Sequence, residues 1–298
     1  EERQAGVAIL VSDPIASNDL KDLLSHIYDM ERLMGKISYG SANARDLVSL
    51  KNSLQALPHV KRMLSDLPAP VFRRMEEELD TVEDISSLLE AAIADEPPIS
   101  LREGGLIKSG YHEQIDRYRS AASDGKTWLA DLETKEKELT GIKNLKVGYN
   151  RVFGYYLEVS KGNMSLVPDR YIRKQTLANG ERYITEELKK IEDTLLGAKE
   201  KGEALEYDVF GEIRAKVAQA MQRVQQSASV IADLDSLRSL AEAAYRYQYV
   251  QPKILPPGGE ITIEEGRHPV VERMLEEGAF IANDTRLDQD QNRIAIIT

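Results

Sequence analysis

The feature that most constrains the fold is a long proline-free segment in the second half of the chain. After Thr185 no proline occurs until Pro252. Thr185, followed by Glu186 and Glu187, predicts a helix N-terminus, because a threonine hydroxyl caps the first turn and carboxylates interact favourably with the helix dipole. A helix that continues over about 40 residues is roughly 60 Å long. Apolar residues recur through the segment at three- and four-residue steps: Leu188, Ile191, Leu195, Leu205, Val209, Ile213, Val217, Val224, Ile231 and Leu234.

The first half of the chain has the pattern of several further helices. Asn43 is a favourable N-cap, Pro58 predicts a helix end, and Gly141 after Thr140 predicts another. The predicted helices run from about 18 to 33, from Asn43 to Pro58, over 71–94 and from about 111 to 140.

A different pattern lies between the two longest helices. From Asn144 to about Thr185 the residues form short segments rich in Tyr, Val and Ile, broken by Gly and Pro, which predicts a small sheet. A sheet between two long helices is predicted to be an insertion at the tip of a two-helix arm. The two helices must then lie side by side and antiparallel for the chain to return.

The C-terminal segment has a third pattern. An alternating strand is predicted at 260–264, a helix over 269–277, and a short apolar strand of the buried parallel kind at 293–298. The predicted fold class is therefore mainly α with a small inserted β domain, followed by an incomplete α/β segment. The predicted domain boundaries are 1–142, 143–185, 186–249 and 250–298.

Composition excludes several functions and favours a cytoplasmic protein. The chain has 298 residues and no cysteine, so disulfides, thiolate metal sites and cysteine nucleophiles are excluded. No run approaches eighteen consecutive apolar residues, so no membrane span is expected. The net charge of −11 argues against nucleic-acid binding over the whole surface.

One region reverses that charge. Residues 143–185 carry eight Lys and Arg against three Asp and Glu, a net charge of +5, so the rest of the chain carries −16. A basic sheet at the end of an arm suits the phosphate backbone of a nucleic acid, because Lys and Arg displace counterions and Asn, Gln and Thr donate to phosphate oxygens. The alternative is a solvated sheet face on which cations happen to cluster. Five tyrosines in the same window are expected to be core residues of the sheet.

Other conspicuous residues have structural interpretations. Acidic runs such as 76–78 and 133–138 are expected to be solvated helix faces, and Trp128 is expected to pack on its helix. His268 is expected to have a structural role. His26, His59 and His112 show no metal-ligand spacing.

Two neighbouring segments in the basic window resemble a known family. The run YIRKQTLANGERYITEEL at 171–188, preceded by LKVGYNRVFGYYLEV at 145–159, is similar to the clamp of the MutS family of DNA mismatch-repair proteins. The segments YDMERL at 28–33 and ARDL at 44–47 resemble that family's core. The segments EGRHPVVE at 265–272 and FIAN at 280–283 resemble the start of its ATPase domain.

The resemblance implies that the clamp contacts the DNA backbone without reading sequence. By motif position the contacts expected here are Arg173, Lys174, Asn179 and Arg182, with Thr176 a weaker candidate. Relatives commonly carry Lys where this chain has Ala178, so the basic surface is expected to depend more on its neighbours.

The resemblance also implies partners and a cofactor for the full-length family. Those proteins are homodimers that encircle mismatched double-stranded DNA, bind ATP with Mg²⁺ and recruit MutL. Phe280, Ile281 and Asn283 match the adenine side of the nucleotide site. The complete Gly-rich phosphate-binding loop is absent from this sequence, so we expect the chain to bind no cofactor and to hydrolyse no ATP.

Two alternatives stay open from the sequence. The first is a structural coiled-coil scaffold whose tip binds protein, in which case DNA binding would be negligible. The second is a MutS-like paralogue that does not act in mismatch repair.

Overall fold

The computed structural model describes residues 1–256, 259–275 and 280–295, and the chain divides into one unit over 1–245 and another over 246–298. In the described part no helix is long and apolar enough to cross a membrane. The first unit is helical apart from one four-stranded sheet, and the described residues of the second form two short strands and a single turn of helix. The prediction of a mainly α fold with a small β domain is confirmed.

The first unit begins with six helices: α1 (Glu2–Ser12), α2 (Pro14–Ser25), α3 (Met30–Ser38), α4 (Ala44–Asp66), α5 (Pro70–Glu78) and α6 (Glu83–Ala92). The predicted cap of α4 is confirmed. Asn43 accepts a hydrogen bond from the Asp46 amide, and Asp46 accepts one from the Asn43 amide, which satisfies two N–H groups of the first turn.

Two boundary predictions in this region are wrong. Helix α4 does not end at Pro58 but continues to Asp66, because Leu57, Val60 and Leu64 are buried on the same face and their packing outweighs the hydrogen bond that proline removes. The helix predicted from about 18 to 33 is likewise two helices, separated at residues 26–29.

The helix predicted over 71–94 is also interrupted. Residues 79–82 separate α5 from α6, and Val82 has a left-handed backbone with φ of 49°. Asp80 and Asp84, on either side of Val82, both accept hydrogen bonds from the Arg223 guanidinium. These hydrogen bonds hold the pKa of both carboxyl groups below their ordinary range.

The arm consists of α7 (Glu113–Thr140) and α8 (Glu186–Gln219), which run antiparallel. With 34 residues, α8 is about 51 Å long. Thr185 caps it by accepting a hydrogen bond from the Leu188 amide, as predicted. The two helices approach closely at Gly125 and Gly202, where an added Cβ would lie 2.8 Å from Leu195 Cδ1 and 3.2 Å from Tyr118 Cβ respectively.

The long proline-free segment is not one helix. It is interrupted at Ala220, and α9 (Met221–Tyr247) follows. The face of α9 that carries Val224, Ile231 and Leu234 is buried in the same core as the N-terminal helices. Thus α8 belongs to the arm along most of its length, whereas α9 belongs to the helical core.

The inserted sheet has four antiparallel strands in the order β1-β2-β4-β3. A 3-10 turn at Lys161–Leu166 follows the second strand. The strands are β1 (Lys146–Asn150), β2 (Gly154–Ser160), β3 (Ile172–Thr176) and β4 (Gly180–Ile184).

The second unit contains β5 (Ile261–Gly266), α10 (Val271–Met274) and β6 (Asn283–Leu287), with β5 and β6 antiparallel. The strand predicted at 260–264 is confirmed to within two residues. Only one turn of the helix predicted over 269–277 forms among its described residues, since 276–277 lie outside them. No strand forms at 293–295, where Ile294 is 84 % exposed, and 296–298 lie outside the described residues.

Candidate nucleic-acid interface

The sheet is fastened to the arm by one of its two faces. Alternate residues of β2, Leu157 and Val159, together with Tyr183 of β4, pack against Leu132 of α7 and Leu188 of α8 in a second core. This inner face is therefore occupied. What remains available to a partner is the outer face, the edge strand β3 and the turns at the ends of the strands.

Two carboxylates of α7 strengthen this attachment, the buried Glu136 and the half-buried Glu133, so the sequence interpretation of 133–138 as a solvated face is wrong for these two. Glu136 is 2 % exposed and accepts hydrogen bonds from Arg170 and from the Tyr171 hydroxyl. Glu133 accepts a hydrogen bond from the Val147 amide at 2.8 Å. Both side chains lie on the side of α7 that faces the sheet, and a helical wheel that places them with Leu129 and Leu132 would have indicated this.

Burial and hydrogen bonds at this attachment shift the pKa values of Glu133, Tyr171 and Glu192. Burial opposes ionisation of Glu133, but the hydrogen bonds from Lys137 and from the Val147 amide outweigh it, so the pKa of Glu133 is lowered. Burial and the neighbouring Glu136 carboxylate raise the pKa of Tyr171. On α8, burial raises the pKa of Glu192, whose carboxylate accepts a hydrogen bond from the Tyr155 amide.

All five predicted contact residues lie on the β3–β4 hairpin, but they do not share one face. Arg173 is opposite Tyr183 in the register, whereas Arg182 is opposite Gln175. Because successive residues of a strand point to opposite faces, Arg173 lies on the side of Tyr183 and Arg182 lies on the outer face. Edge strand β3 brings Arg173, Lys174 and Thr176 within one short segment.

Lys174 occupies an irregular position on the edge strand. The register shifts between Arg173 and Gln175, which leaves Lys174 as the extra residue of a β-bulge without a partner on β4. Its side chain is exposed. A bulge on an edge strand places this cation in solvent rather than over the sheet.

Arg173 is exposed and has one acidic neighbour. Its side chain is 65 % exposed, and Nη1 lies 3.3 Å from Oε1 of Glu181. Glu181 also accepts hydrogen bonds from the Tyr183 and Thr176 hydroxyls. The bond from Tyr183 and the one from Arg173 lower the pKa of Glu181, and burial together with Glu181 raises the pKa of Tyr183 to about 12. The Glu181 carboxylate therefore holds one nitrogen of the Arg173 guanidinium, while most of the Arg173 side chain is exposed to solvent.

Arg182 lies on the outer face and is held there by contacts with other residues of the sheet. Nε donates to Glu158 Oε2 at 3.0 Å, Nη1 donates to Gln175 Oε1 at 2.9 Å, and the guanidinium lies 4.2 Å from the ring centroid of Tyr156. Gly148 makes this arrangement possible, because a Cβ there would lie 2.5 Å from Tyr156 Cζ. Arg182 thus links three strands of the sheet.

Asn179 lies in the exposed turn between β3 and β4. The turn is closed by a hydrogen bond of 2.8 Å from the Leu177 amide to the Gly180 carbonyl. The Asn179 carbonyl accepts a hydrogen bond from the Lys161 amide at 3.1 Å, which places the start of the 3-10 turn beside it. Gly180 itself is buried against the Val159 carbonyl.

Most cations of the basic window are not neutralised internally. Arg170, Arg173 and Arg182 each have a carboxylate within 4.0 Å. In the part of the chain that the structure describes, no carboxylate lies within that distance of the others, which are Lys143, Lys146, Arg151, Lys161 and Lys174. The sheet therefore presents free positive charge along its edges and turns.

The tyrosines of the window are mostly packing residues, as predicted. Tyr171 and Tyr183 are buried, with ring centroids 5.7 Å apart, and Tyr156 is 9 % exposed. Tyr149, at 52 %, is the most exposed of the five. Trp128, which was also expected to pack, is instead 44 % exposed on the surface of α7.

The residues predicted for a nucleotide lie within one short segment at the start of β6. Phe280 is half-buried, Ile281 is 80 % exposed, and Asn283 begins β6 with its amide bonded to the Ile281 carbonyl. His268 has a structural contact, since its Nδ1 accepts from the Val270 and Val271 amides. Among the described residues no group of three or more His, Cys, Asp or Glu is placed to hold a metal ion.

The fold and the site define a helical protein with a basic sheet inserted between two antiparallel arm helices. Residues 110–201 match the family described as MutS family domain IV, a span that contains α7, the whole sheet and the first half of α8.

Whole-chain comparison agrees with this match. The chain is 50 % identical over 99 % of its length to the DNA mismatch repair protein MutS of Lachnoclostridium phytofermentans. It is 50 % identical over 100 % of its length to the protein of that name from Clostridium tetani, and 53 % identical over 94 % to the one from Caldicellulosiruptor bescii. It covers 32 %, 34 % and 32 % of these relatives, so it spans about a third of their length. The resemblance to the MutS family is thereby confirmed.

Proposed function

We propose that this chain acts in DNA mismatch repair by gripping the backbone of double-stranded DNA with its inserted sheet. The observation that carries the proposal is the edge strand β3, on which the exposed Arg173 and the bulge residue Lys174 lie side by side at the end of the arm. Cations presented from a strand edge suit a row of phosphates, and contacts to phosphates carry no sequence information. Binding is therefore independent of sequence.

The five hairpin residues have different parts in this proposal. Arg173 and Lys174 contact phosphates as cations, while Asn179 and Thr176 donate to phosphate oxygens from the turn and the strand end. Arg182 contributes positive potential and holds the outer face through Glu158, Gln175 and Tyr156. We expect its direct contact with DNA to be weaker than that of Arg173.

The arm connects the grip to the rest of the protein. Helices α7 and α8 are packed closely at Gly125 and Gly202, and the carboxylates of Glu133 and Glu136 join α7 to the sheet. A paired helix of this kind is stiff, so a displacement at one end is transmitted to the other. We propose the boundaries 1–142, 143–185, 186–249 and 250–298 for the helical core with its outgoing arm, the clamp, the returning helices and the beginning of an ATPase domain.

The nucleotide chemistry belongs, in this proposal, to the full-length protein. This chain lacks the pattern Gly-x₄-Gly-Lys-Ser/Thr; the triplet at 125–127 is Gly-Lys-Thr, but Ser120 replaces the first glycine and the triplet lies inside α7. The sequence therefore lacks the motif that cradles phosphates and Mg²⁺ in proteins of this kind. Exposed Ile281 and half-buried Phe280 offer apolar surface to an adenine ring at most. We propose that ATP binding, homodimer formation and recruitment of MutL, all in the cytoplasm, require the full-length protein.

Salt-dependent DNA binding tests the grip. A fluorescently labelled duplex is titrated with the chain at several salt concentrations, and the log–log slope of affinity against salt is compared for Arg173→Gln, Lys174→Gln and the unaltered chain. Each lost phosphate contact should reduce the slope by about 0.9. Lys201→Gln is the matched control, because Lys201 is exposed on α8 outside the sheet.

The same titration separates the competing hypotheses. Matched and mismatched duplexes should bind equally, since the sheet contacts only backbone. If the chain binds no duplex, or if the two hairpin variants change the slope no more than Lys201→Gln does, the phosphate grip is wrong and a protein-binding scaffold is favoured.

A further inference from the structure

A polar cluster that the sequence motifs did not single out lies where β1 begins and β2 ends. Asn144 Nδ2 donates to Ser160 Oγ at 2.7 Å, and Asn163 Nδ2 donates to Asn144 Oδ1 at 2.6 Å. Asn163 Nδ2 also lies 3.4 Å from Ser160 Oγ. Three short polar side chains from separate segments are thus bonded to one another at the surface.

The cluster is next to the predicted contact surface. Lys161 follows Ser160 directly, and its amide donates to the Asn179 carbonyl at 3.1 Å. The surface therefore continues from strand β3 through the β3–β4 turn to Lys161 and Asn144. Lys161 and Asn144 are both exposed, and Lys161 has no carboxylate within 4.0 Å in the described part of the chain.

Counting donors shows which groups are left for a ligand. A side-chain amide has two N–H donors. Those of Asn163 are directed at Asn144 and Ser160, while Asn144 uses one of its two on Ser160. Ser160 accepts in both contacts, and its own O–H has no acceptor among the residues that the structure describes. One N–H of Asn144, the hydroxyl of Ser160 and the ammonium of Lys161 thus remain as donors, and Asn163 holds the carbonyl of Asn144 away from them.

This set has the chemistry of a phosphate site. The unused groups of Asn144, Ser160 and Lys161 are donors, one of them a cation, and the Asn144 carbonyl is already bonded to Asn163. We propose that Asn144, Ser160 and Lys161 form a second phosphate-contacting row on the sheet, with Asn163 as the positioning residue. The proposal rests on the DNA grip proposed above and extends it from strand β3 to the opposite side of the β3–β4 turn.

Two kinds of substitution distinguish a cationic contact from neutral donors. Lys161→Gln should reduce the salt slope for duplex binding by about 0.9, because one phosphate contact no longer releases a counterion. Asn144→Asp is nearly isosteric, removes the N–H donors and adds a negative charge. It should lower affinity several-fold at low salt and much less at high salt, because screening weakens repulsion between exposed charges.

Asn163→Ala tests the positioning role. It leaves every charge in place, so it should lower affinity modestly without changing the slope, and a second substitution of Asn144→Ala should then add little because the amide is no longer oriented. Lys201→Gln is again the control for charge, and circular dichroism with thermal melting confirms that each variant is folded.

The outcomes separate this inference from the grip itself. If Arg173→Gln reduces the slope but Lys161→Gln and Asn144→Asp behave as Lys201→Gln does, the second row is wrong and the grip on strand β3 stands. If Arg173→Gln and Lys174→Gln also have no effect, the proposed function fails and the second row fails with it. Loss of slope at both Arg173 and Lys161 supports the two together.

Discussion

Arg182 and Glu158 lie opposite each other on neighbouring strands of the outer face, with Nε and Oε2 separated by 3.0 Å. The same guanidinium donates to Gln175 on the edge strand and covers the ring of Tyr156. The motif predicts that Arg182 contacts DNA, but much of its hydrogen-bonding capacity is used by partners within the protein. That arrangement distinguishes it from Arg173, whose side chain is 65 % exposed.

Substituting Arg182 should affect stability more than salt-dependent binding. Arg182→Gln removes an ion pair that is partly exposed and a cation–π contact, and we expect the free energy of unfolding to fall by about 1 kcal/mol. The salt slope for DNA should change less than in Arg173→Gln. Urea unfolding and the salt titration measure the two effects, and a full slope loss of about 0.9 with unchanged stability would show that Arg182 is a direct contact after all.

The joint between arm and sheet should depend on Glu136. Glu136→Ala leaves the Tyr171 hydroxyl and Arg170 without their shared partner, and we expect a loss of about 2 kcal/mol, less than for a fully buried ion pair because the Arg170 side chain is 49 % exposed. Fluorescence of Trp128, the single tryptophan and a residue of α7, can follow urea unfolding near this joint. Glu138→Ala, an exposed position in the same helix, is the control and should change stability by no more than about 0.5 kcal/mol.

Stability at acid pH should depend on an ion-pair group in the helical core. Lys51, which is 5 % exposed, pairs with Glu90 and Asp95, and Lys108 pairs with the same two carboxylates. Hydrogen bonds from Lys51 and then from Lys108 lower the pKa of Glu90 from 4.5 to about 2.

The sign of the effect follows from that lowered pKa. A carboxyl whose pKa is lower in the folded state stabilises the fold above its unfolded pKa, and the contribution disappears as pH falls from 4.5 towards about 2. Lys51→Met should therefore flatten the pH dependence of unfolding in that window. Urea unfolding at several pH values measures it, with Lys201→Met as control. An undiminished pH dependence in Lys51→Met would mean that this group does not govern acid stability.

Two glycines of the arm should respond oppositely to alanine. Nothing lies within 4 Å of a Cβ added at Gly197, so Gly197→Ala should stabilise α8 by about 0.5–1 kcal/mol through helix propensity. A Cβ at Gly125 would lie 2.8 Å from Leu195 Cδ1 and 3.2 Å from its Cβ, so Gly125→Ala should separate α7 from α8. We expect Gly125→Ala to be less stable than Gly197→Ala by about 2 kcal/mol, as measured by thermal or urea unfolding. Equal stabilisation by both would show that the helices are not in close contact there.

Local patterns predicted the elements whose cause is local. The caps at Asn43 and Thr185 form as predicted, because a side-chain acceptor one turn from an amide needs no distant partner. The breaks at 79–82 and at Ala220 were missed, since helical periodicity continues across both. Next to these two breaks the structure shows a contact between elements remote in sequence, that of Arg223 with Asp80.

The candidate site divides in the same way. The resemblance to the family's clamp selected Arg173, Lys174, Thr176, Asn179 and Arg182, and the local excess of positive charge placed them in a basic region. The structure showed that all five lie on one hairpin. Motif spacing gave no indication that Arg182 is engaged by Glu158, since the two residues meet only when β2 pairs with β4. Motif spacing also gave no indication that Asn144 and Asn163 are hydrogen-bonded, because the two residues belong to different segments that meet only in the folded sheet.

By itself the sequence determined that this chain is helical, that it carries a small basic sheet between two long helices, and that it resembles the MutS family. Those properties depend on periodicity, composition and motifs along the chain. Only the tertiary structure decided which charges are free and which are used internally. Glu136 is a solvated acid by sequence and a buried anchor in the fold, because burial and partner choice depend on residues distant along the chain, such as Arg170 and Tyr171.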